Sequence, residues 1–540
     1  MSRLCRLLSV ALVSLPLSAA LGGFAPVLYV DDDAPPGGGG QSWNTAFNDL
    51  QDALDVAALS GDVIEIWVAA GTYRPDRATY QQDESFELQN NLVVYGGFAG
   101  NEQYLWERTV PDNPTILSGD LLEDDGPGFA NMGDNSLHVV TAIGTDGTAV
   151  LDGFIVQGGN AGAFGGDDSL GGGVLVKDGA ARVVGCRFNA NQASFGGALA
   201  CRNASPMLMA CSFVENAAST VGGAIFNLDT CAPVVIGCMF SHNSAGLQGG
   251  ALASTTGCDV TVLNSVFCGN EAMSYGGGAV LNNTSQCLVV NSVFSGNVSQ
   301  SAAYGGGALR NERGNLRLIN STLVGNAANA GGGVYYAFPG SEPVLDNCIL
   351  WANTAGGVGG ELAQLAGDGG SATVNYCCVD GWTGGLGGEG NCGSDPNLVD
   401  PDGADNVLGT VDDLPRIDNC ASPCADAGDN NRLPLDTFDL DDDGDLLEPI
   451  PLDVRGGARI VAGVVDIGAY ESIPSTCRAG DMDCDGDVDF DDINPFVLAL
   501  SGPDNYYAEH PNCNWSNADC DFDLDVDFDD INPFVALIGT

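Results

Sequence analysis

Two clusters of aspartate near one end of this 540-residue chain have the types and spacing that a hard cation needs. Asp481, Asp483, Asp485, Asp489 and Asp492 fall at positions 1, 3, 5, 9 and 12 of a loop, with Gly486 at the sharp-turn position 6. Asp487 stands at position 7, which gives its backbone carbonyl. Ca2+ takes six to eight oxygens in a flexible cage, and this pattern supplies them. The same arrangement returns 38 residues later as Asp519, Asp521, Asp523, Asp527 and Asp530, with Asp525 in the place of Asp487. Residues 487–497 are identical to residues 525–535. Leu524 replaces the turn glycine in the second loop, which is therefore expected to be the weaker site. Clustered carboxylates repel one another without a cation, so folding of this segment should depend on Ca2+.

Each loop runs into an apolar segment, Ile493-Asn494-Pro495-Phe496-Val497 and Ile531-Asn532-Pro533-Phe534-Val535. A proline in the first turn is compatible with a helix, so residues 476–540 are expected to form a small α-helical, EF-hand-like unit. Phe490 and Phe528 are read either as core of that unit or as part of a docking face. Upstream, Asp439, Asp441, Asp443, Gly444 and Asp445 alternate in a way that suits either another calcium loop or a solvated acidic turn.

The body of the chain has a different order. Between Asn160 and Asn353 a block returns every 24 to 31 residues, ending on asparagines 160, 191, 216, 243, 270, 297, 326 and 353. Three positions before each stands a large apolar residue: Phe188, Phe213, Phe240, Phe267, Phe294, Leu323 and Leu350. Two further back is a small one: Cys186, Cys211, Cys238, Ser265, Ser292, Ser321 and Cys348. The residues between, from Arg187 and Ser212 to Val293 and Ile349, vary and are expected to face solvent. Alternation of this kind is a strand. The next inward column, Val183, Leu208, Val235, Val262, Val289, Leu318 and Leu345, is offset by three, which marks a bend. Glycine doublets at 172–173, 196–197, 222–223, 249–250, 277–278, 306–307 and 332–333 suit tight corners, and the asparagines suit left-handed or bridging turn positions. A period near 27 with bent strands predicts an all-β, right-handed parallel β-helix solenoid over residues 63–380, about eleven coils at the usual strand spacing of about 4.8 Å.

The ends of such a rod need cover. Residues 21–62 are read as an N-terminal cap carrying a helix over 43–58, with Phe47, Leu50, Ala53, Leu54 and Ala57 on its apolar side. Residues 381–475, rich in Asp, Gly and Pro, are read as an irregular cap that closes the other end. Arg3 and Arg6, followed by an apolar run and then Ser18-Ala19-Ala20, read as a signal peptide over 1–20, which places the protein outside the cell or on its surface. No later segment carries 18 continuous apolar residues, so no membrane span is expected. The formal charge of −54, from 17 basic and 71 acidic residues, excludes nucleic acid as a partner. Export permits disulfides, with Cys377, Cys378, Cys392, Cys420 and Cys424 the better candidates, whereas the column cysteines also fit as reduced core residues.

Several motifs carry a family resemblance. Leu28-Tyr29-Val30-Asp31-Asp32-Asp33, Trp67-Val68-Ala69-Ala70-Gly71-Thr72-Tyr73-Arg74-Pro75, Tyr95-Gly96-Gly97-Phe98-Ala99-Gly100 and Asp466-Ile467-Gly468-Ala469-Tyr470-Glu471 together resemble the pectin-lyase-like β-helix proteins. The C-terminal tandem resembles a type I dockerin, in which the loop aspartates named above hold Ca2+ and positions 10 and 11 read a cohesin. Here those positions are Phe490-Asp491 and Phe528-Asp529, so the resemblance implies calcium binding and a docking role toward a cohesin-like protein or a cell-envelope component.

The expected function is that of a secreted, non-catalytic scaffold or adhesion-like rod, carbohydrate-binding along a shallow sheet face, with no catalytic residue assigned. The alternative is a polysaccharide hydrolase, or with less support a lyase, on the rod's flank. A lyase needs a base and a counter-charge for a uronate, and the mature chain offers Lys177 and scattered arginines. A hydrolase needs two facing carboxylates, for which Glu215 and Glu271 are weighed against solvated turn charges.

Overall fold

The computed structural model describes residues 27–538 except 61–62, 77–78, 163–164, 418–421, 462, 473–478, 485–486, 511–512, 514 and 521–525. The expected signal segment lies outside the described residues. Among the described residues, 41 strands form four parallel sheets of 12, 11, 8 and 10 strands, called first to fourth in the order the chain visits them. One coil is Arg182–Val184, Arg187–Asn189, Gln192–Phe195 and Leu199–Arg202, one strand in each sheet. The next coil begins at Met207–Met209, directly beside Arg182–Val184. Twelve strands in the first sheet give twelve turns, one more than expected.

The repeat columns become interior stacks. Phe188, Phe213, Phe240, Phe267 and Phe294 lie over one another in the second sheet, with ring centroids 4.5–4.7 Å apart and planes within 5°. All five are fully buried. In-register parallel pairing forces this arrangement, because a residue in one strand sits opposite its counterpart one coil away. Truncating one such ring to alanine is worth about 3–5 kcal/mol. The first sheet stacks Val183, Leu208, Val235, Val262, Val289, Leu318 and Leu345 in the same way. The small column fills the corner between these sheets. Its cysteines are buried thiols, and its serines are bonded in series, with Ser265 N donating to Ser292 Oγ and Ser292 N to Ser321 Oγ, each at 3.2 Å.

The asparagine column differs from the sequence expectation. The left-handed residue is the one before it: Ala190, Glu215, His242, Gly269, Gly296, Gly325 and Ala352 all have positive φ. Asn191 to Asn353 are instead fully buried in a ladder. Each Oδ1 accepts from the backbone N–H and Nδ2 of the preceding asparagine, as Asn270 does from Asn243 at 3.0 and 2.9 Å. The ladder begins at Gly159 N, which donates to Asn191 Oδ1, and ends at Gln364 on the short helix Glu361–Gln364, whose Oε1 accepts from Asn353 Nδ2 at 2.7 Å. At the bend between the first and second sheets, asparagines do adopt left-handed backbone in four coils, at Asn264, Asn291, Asn320 and Asn347. At the corner between the third and fourth sheets, Gly249 has φ +64°, and a Cβ on Gly250 would lie 2.1 Å from the Gly278 carbonyl oxygen. Coils approach there too closely for any side chain.

Both ends depart from expectation. At the N-terminal end the helix is Leu50–Ser60, not 43–58. Residues 46–47 cannot join it because Phe47 N donates to Tyr29 O and Phe47 O accepts from Asp31 N, which ties them to the strand Val27–Val30. That strand pairs with Glu65–Ala69 and supplies the extra turn. Leu50, Ala53, Leu54 and Ala57 are buried against the core as expected.

At the other end, Trp382 and Leu386 pack on the last coils, while the described residues of 398–472 do not close the end. They return along the outside of the rod. Asn291 Nδ2 donates to Leu452 O at 2.7 Å and Asn320 Nδ2 to Asp466 O at 3.0 Å, and Asp429 N donates to Asn347 Oδ1 at 2.9 Å. The left-handed asparagines thus turn the chain and also present amides to the returning segment. Ile450, with Phe438 and Leu440, covers Leu263, Val290 and Ile319. Ala469, Tyr470 and Val454 cover Val293 and Val266. The outer column expected to face solvent is therefore exposed only at its start: Arg187 is exposed, whereas Val293, Thr322 and Ile349 are buried.

Candidate metal centre and outer faces of the rod

The C-terminal unit is built on two equivalent halves. Helices Ile493–Ala499 and Ile531–Leu537 bring Phe496 and Phe534 together with centroids 4.0 Å apart and planes within 5°. A third helix, Pro503–Glu509, adds Tyr506 to the core. A disulfide joins Cys484 to Cys513, a pairing that spacing alone did not single out. Asn517 Nδ2 donates to the Asp481 carbonyl at 2.7 Å, tying the second half to the start of the first loop.

The position-12 carboxylates do the same work in both halves. Asp492 Oδ1 accepts from Met482 N at 2.5 Å and Asp483 N at 3.0 Å, and its Oδ2 accepts from Asp489 N at 2.8 Å. Asp530 accepts from Cys520 N at 2.6 Å and Asp527 N at 2.9 Å. Asp489 and Asp527 each accept from the backbone N–H two residues on, at 2.7 Å. Asp481, Asp492, Asp519 and Asp530 are buried, Asp483 is half-buried, and Asp487, Asp489 and Asp527 are exposed. Asp485, Gly486, Asp521, Asp523, Leu524 and Asp525 lie outside the described residues. Ligand oxygens of Asp481, Asp483 and Asp492 fall within 4.8 Å of one another. An all-carboxylate set at that separation fits a hard, oxygen-seeking cation rather than a thiophilic one.

Phe490 and Phe528 are not core residues. They are 77% and 76% exposed, at the same position of each half, and seven residues on Val497 and Val535 are exposed at 60% and 59%. The core places belong to Phe496 and Phe534. The phenylalanine on the loop's outer edge precedes the position-12 carboxylate by two, so it points away from the loop interior that this carboxylate occupies.

On the rod, the fourth sheet gathers charges that are scattered in sequence. Lys177 and Arg202 are register neighbours on adjacent coils. Lys177 Nζ lies 2.7 Å from Asp167 Oδ2, and Arg202 bridges Asp167 at 2.5 Å and Asp229 at 3.3 Å. Asp167 holds the Lys177 ammonium above the usual lysine range, so this lysine is protonated at neutral pH and is no free base. Burial lowers His138 below its ordinary range, against the pull of its bond to Gly171 O. Further along, Arg310 is buried against Glu312 at 2.5 Å and lies over the rings of Tyr304 and Tyr335 at 5.1 and 5.3 Å. Tyr304 and the neighbouring Tyr275, centroids 5.3 Å apart, are exposed along the same edge.

Glu215 and Glu271 are not equivalent. Glu215 is the left-handed corner residue before Asn216, whereas Glu271 follows Asn270 and pairs in the third sheet with Ser244 and Val298. Glu271 Oε1 accepts from Gln300 Nε2 at 2.6 Å. Among the described residues no helix is long and apolar enough to cross a membrane.

No family model matches the chain, and no curated protein matches it. Among solved structures it is similar to the crystal structure of pectate lyase Pel9A, with a TM-score of 0.33 and 12% identity, covering 83% of this chain and 96% of that one.

Proposed function

We propose that the chain is an extracellular, non-catalytic β-helical scaffold that docks onto a protein partner through a calcium-ordered C-terminal unit of dockerin type. The observation that carries this reading is the matched pair of half-sites: Asp492 and Asp530 grip equivalent loop backbones while Phe490 and Phe528 stand exposed at equivalent positions. Asp481, Asp483, Asp485, Asp487, Asp489 and Asp492 would hold one Ca2+, and Asp519, Asp521, Asp523, Asp525, Asp527 and Asp530 a second. The bound cation neutralises the loop carboxylates and fixes the two helices. Exposed aromatic side chains of this kind are enriched where proteins dock. The partner is a cohesin-like protein or a cell-envelope component.

The rod's role in this reading is to present a long face to polysaccharide. Tyr275, Tyr304 and Tyr335, the last two backed by the buried Arg310, form an aromatic edge on which sugar rings can stack. The carboxylates Asp167 and Glu312 on this side are engaged in ion pairs, and Lys177 is protonated, which weighs against proton abstraction there. Calorimetric titration of the chelator-treated full chain with Ca2+ tests the docking unit: two binding events of unequal affinity are expected. The absence of any Ca2+ heat, with unchanged resistance of residues 476–540 to protease, would overturn it. A glycan array with a parallel turnover assay tests the rod, and released oligosaccharide would replace the scaffold by the hydrolase reading.

A further inference from the structure

Three thiols far apart in sequence meet where the last coil joins the returning segment. Cys378, on the final strand Cys378–Val379, and Cys424 are buried, and Cys392 is half-buried beside them, in a cluster with Ile349, Ile417 and Ile467. Cys392 is laid against the rod's end as a further rung, its N–H donating to Cys377 O and its carbonyl accepting from Val379 N, both at 2.9 Å. Cys424 comes from the returning segment. Its position is set by Ser422 Oγ, which donates to Pro396 O at 2.7 Å, and by Ile467 N, which donates to the Cys424 carbonyl at 2.9 Å.

We propose that Cys392 and Cys424 form a disulfide that fastens the returning segment to the end of the rod, leaving Cys378 as a thiol. The choice of pair follows from geometry. Cys378 and Cys392 are direct register partners in parallel strands, whose Cβ atoms stay near the strand spacing of about 4.8 Å, outside the about 3.5–4.5 Å that a disulfide spans. Cys378 Sγ is also engaged, donating to Ser394 O at 3.2 Å. Cys424 is under no such register constraint. Cys392 is the most exposed of the three, and the thiols of Cys378 and Cys424 beside it lower it well below the ordinary thiol range, so it is the attacking thiolate.

The oxidant is a small-molecule disulfide. Cys392 S− attacks one of its sulfurs and expels a thiolate, giving a mixed disulfide. The Cys424 thiolate then attacks the Cys392 sulfur and expels the second thiolate. One external S–S bond is broken and reduced as the protein S–S bond forms, and the two thiol protons end on the released thiols.

The test is peptide mapping of the full chain. Protein equilibrated with oxidised glutathione is unfolded in iodoacetamide without reductant and cleaved at acidic residues for mass spectrometry. The expected result is one cross-linked peptide pair containing Cys392 and Cys424, with Cys378 alkylated. Cys378→Ser should keep the link, and Cys392→Ser should leave Cys424 alkylated. Dithiothreitol should speed protease cleavage within 398–472 by about tenfold. Full alkylation of both Cys392 and Cys424, a link from Cys424 to Cys378 or Cys420, or a stoichiometric metal ion protecting the thiols would each overturn the proposal. An unchanged cleavage rate on reduction would overturn the fastening role.

Discussion

Replacing Asn270 tests the ladder at its middle. The side chain is fully buried, accepts from Asn243 N and Nδ2, and donates to Phe240 O and Asn297 Oδ1 at 2.9 Å. In Asn270→Ala two donors of Asn243 lose their acceptor inside the rod. A buried orphaned group costs about 1–3 kcal/mol, so two cost about 4 kcal/mol at the centre of the range. Asn297 Oδ1 keeps the Asn270 backbone N–H, so the damage runs toward Asn243 rather than Asn297. Neighbouring coils in a solenoid open semi-independently, so the assay should be local: native-state hydrogen exchange at the Asn243 amide. About 4 kcal/mol corresponds to about a thousandfold loss of protection. Asn270→Asp sharpens the test, because it keeps the acceptor but turns an oxygen toward the Phe240 carbonyl. Its folded pKa must rise above the ordinary about 3.9, so its stability should be fullest below that pH and fall as pH rises through the folded value. Less than tenfold loss of protection in Asn270→Ala, or an Asn270→Asp variant indifferent to pH, would refute the ladder energetics. Glu215→Ala, at an exposed corner, is the control and should change stability by less than about 0.5 kcal/mol.

Other outcomes follow from the same geometry. Asp492→Ala removes both a proposed ligand and the grip on three loop amides, and should weaken the proposed first Ca2+ site at least tenfold in calorimetry, with a smaller effect from Asp530→Ala on the second. Phe490→Ala and Phe528→Ala, both exposed, should leave Ca2+ affinity and thermal stability unchanged while abolishing calcium-dependent capture of the docking partner. The buried Arg459 lies 3.0 Å from Glu471 with Asp466 nearby, and burial pushes the Glu471 carboxyl up to about 8, against the pull of Arg459. Its folded pKa is raised, so its contribution is full below about 4.5 and is lost as pH rises through about 8; protease cleavage within 398–472 should accelerate over that window, and Glu471→Gln should flatten the profile. Val293→Asp should place an unpaired charge beneath Ala469 and Tyr470, and the returning segment should become the first site of proteolysis.

The rod was legible because its information is periodic. One residue type per coil, Phe at 213, 240, 267 and 294, can stack only if the coils are in register, and the structure stacks them. The asparagine ladder was placed one residue off because asparagine suits both a left-handed corner and a buried amide stack, and the corner residues before it vary, from Ala190 through Glu215 and His242 to the glycines 269, 296 and 325. The return of residues 398–472 was missed because nothing in that segment repeats. Its trace was in the rod: the outer column changes from Arg187 and Ser212 to Val266, Val293 and Ile349, a shift that matches the covering segment. In the C-terminal unit, loop spacing assigned the aspartates to a cation, and among them Asp492 and Asp530 accept from the loop amides. It could not tell that phenylalanines two residues before the position-12 aspartates point outward, since Phe496 and Phe534 compete for the same core.

The returning segment also has a consequence for how the chain is made. Ser295 waits for Asp413, Asn320 for Asp466 and Asn291 for Leu452, partners 118, 146 and 161 residues later. Coils can stack one upon another as they emerge, each on the last. The greasy strip of Leu263, Val290, Val293 and Ile319 nevertheless stays bare until the whole rod and much of the returning segment have been synthesised. A nascent chain halted before residue 398 would present that strip to its neighbours, so interrupted synthesis leaves a finished rod with an apolar face open to association.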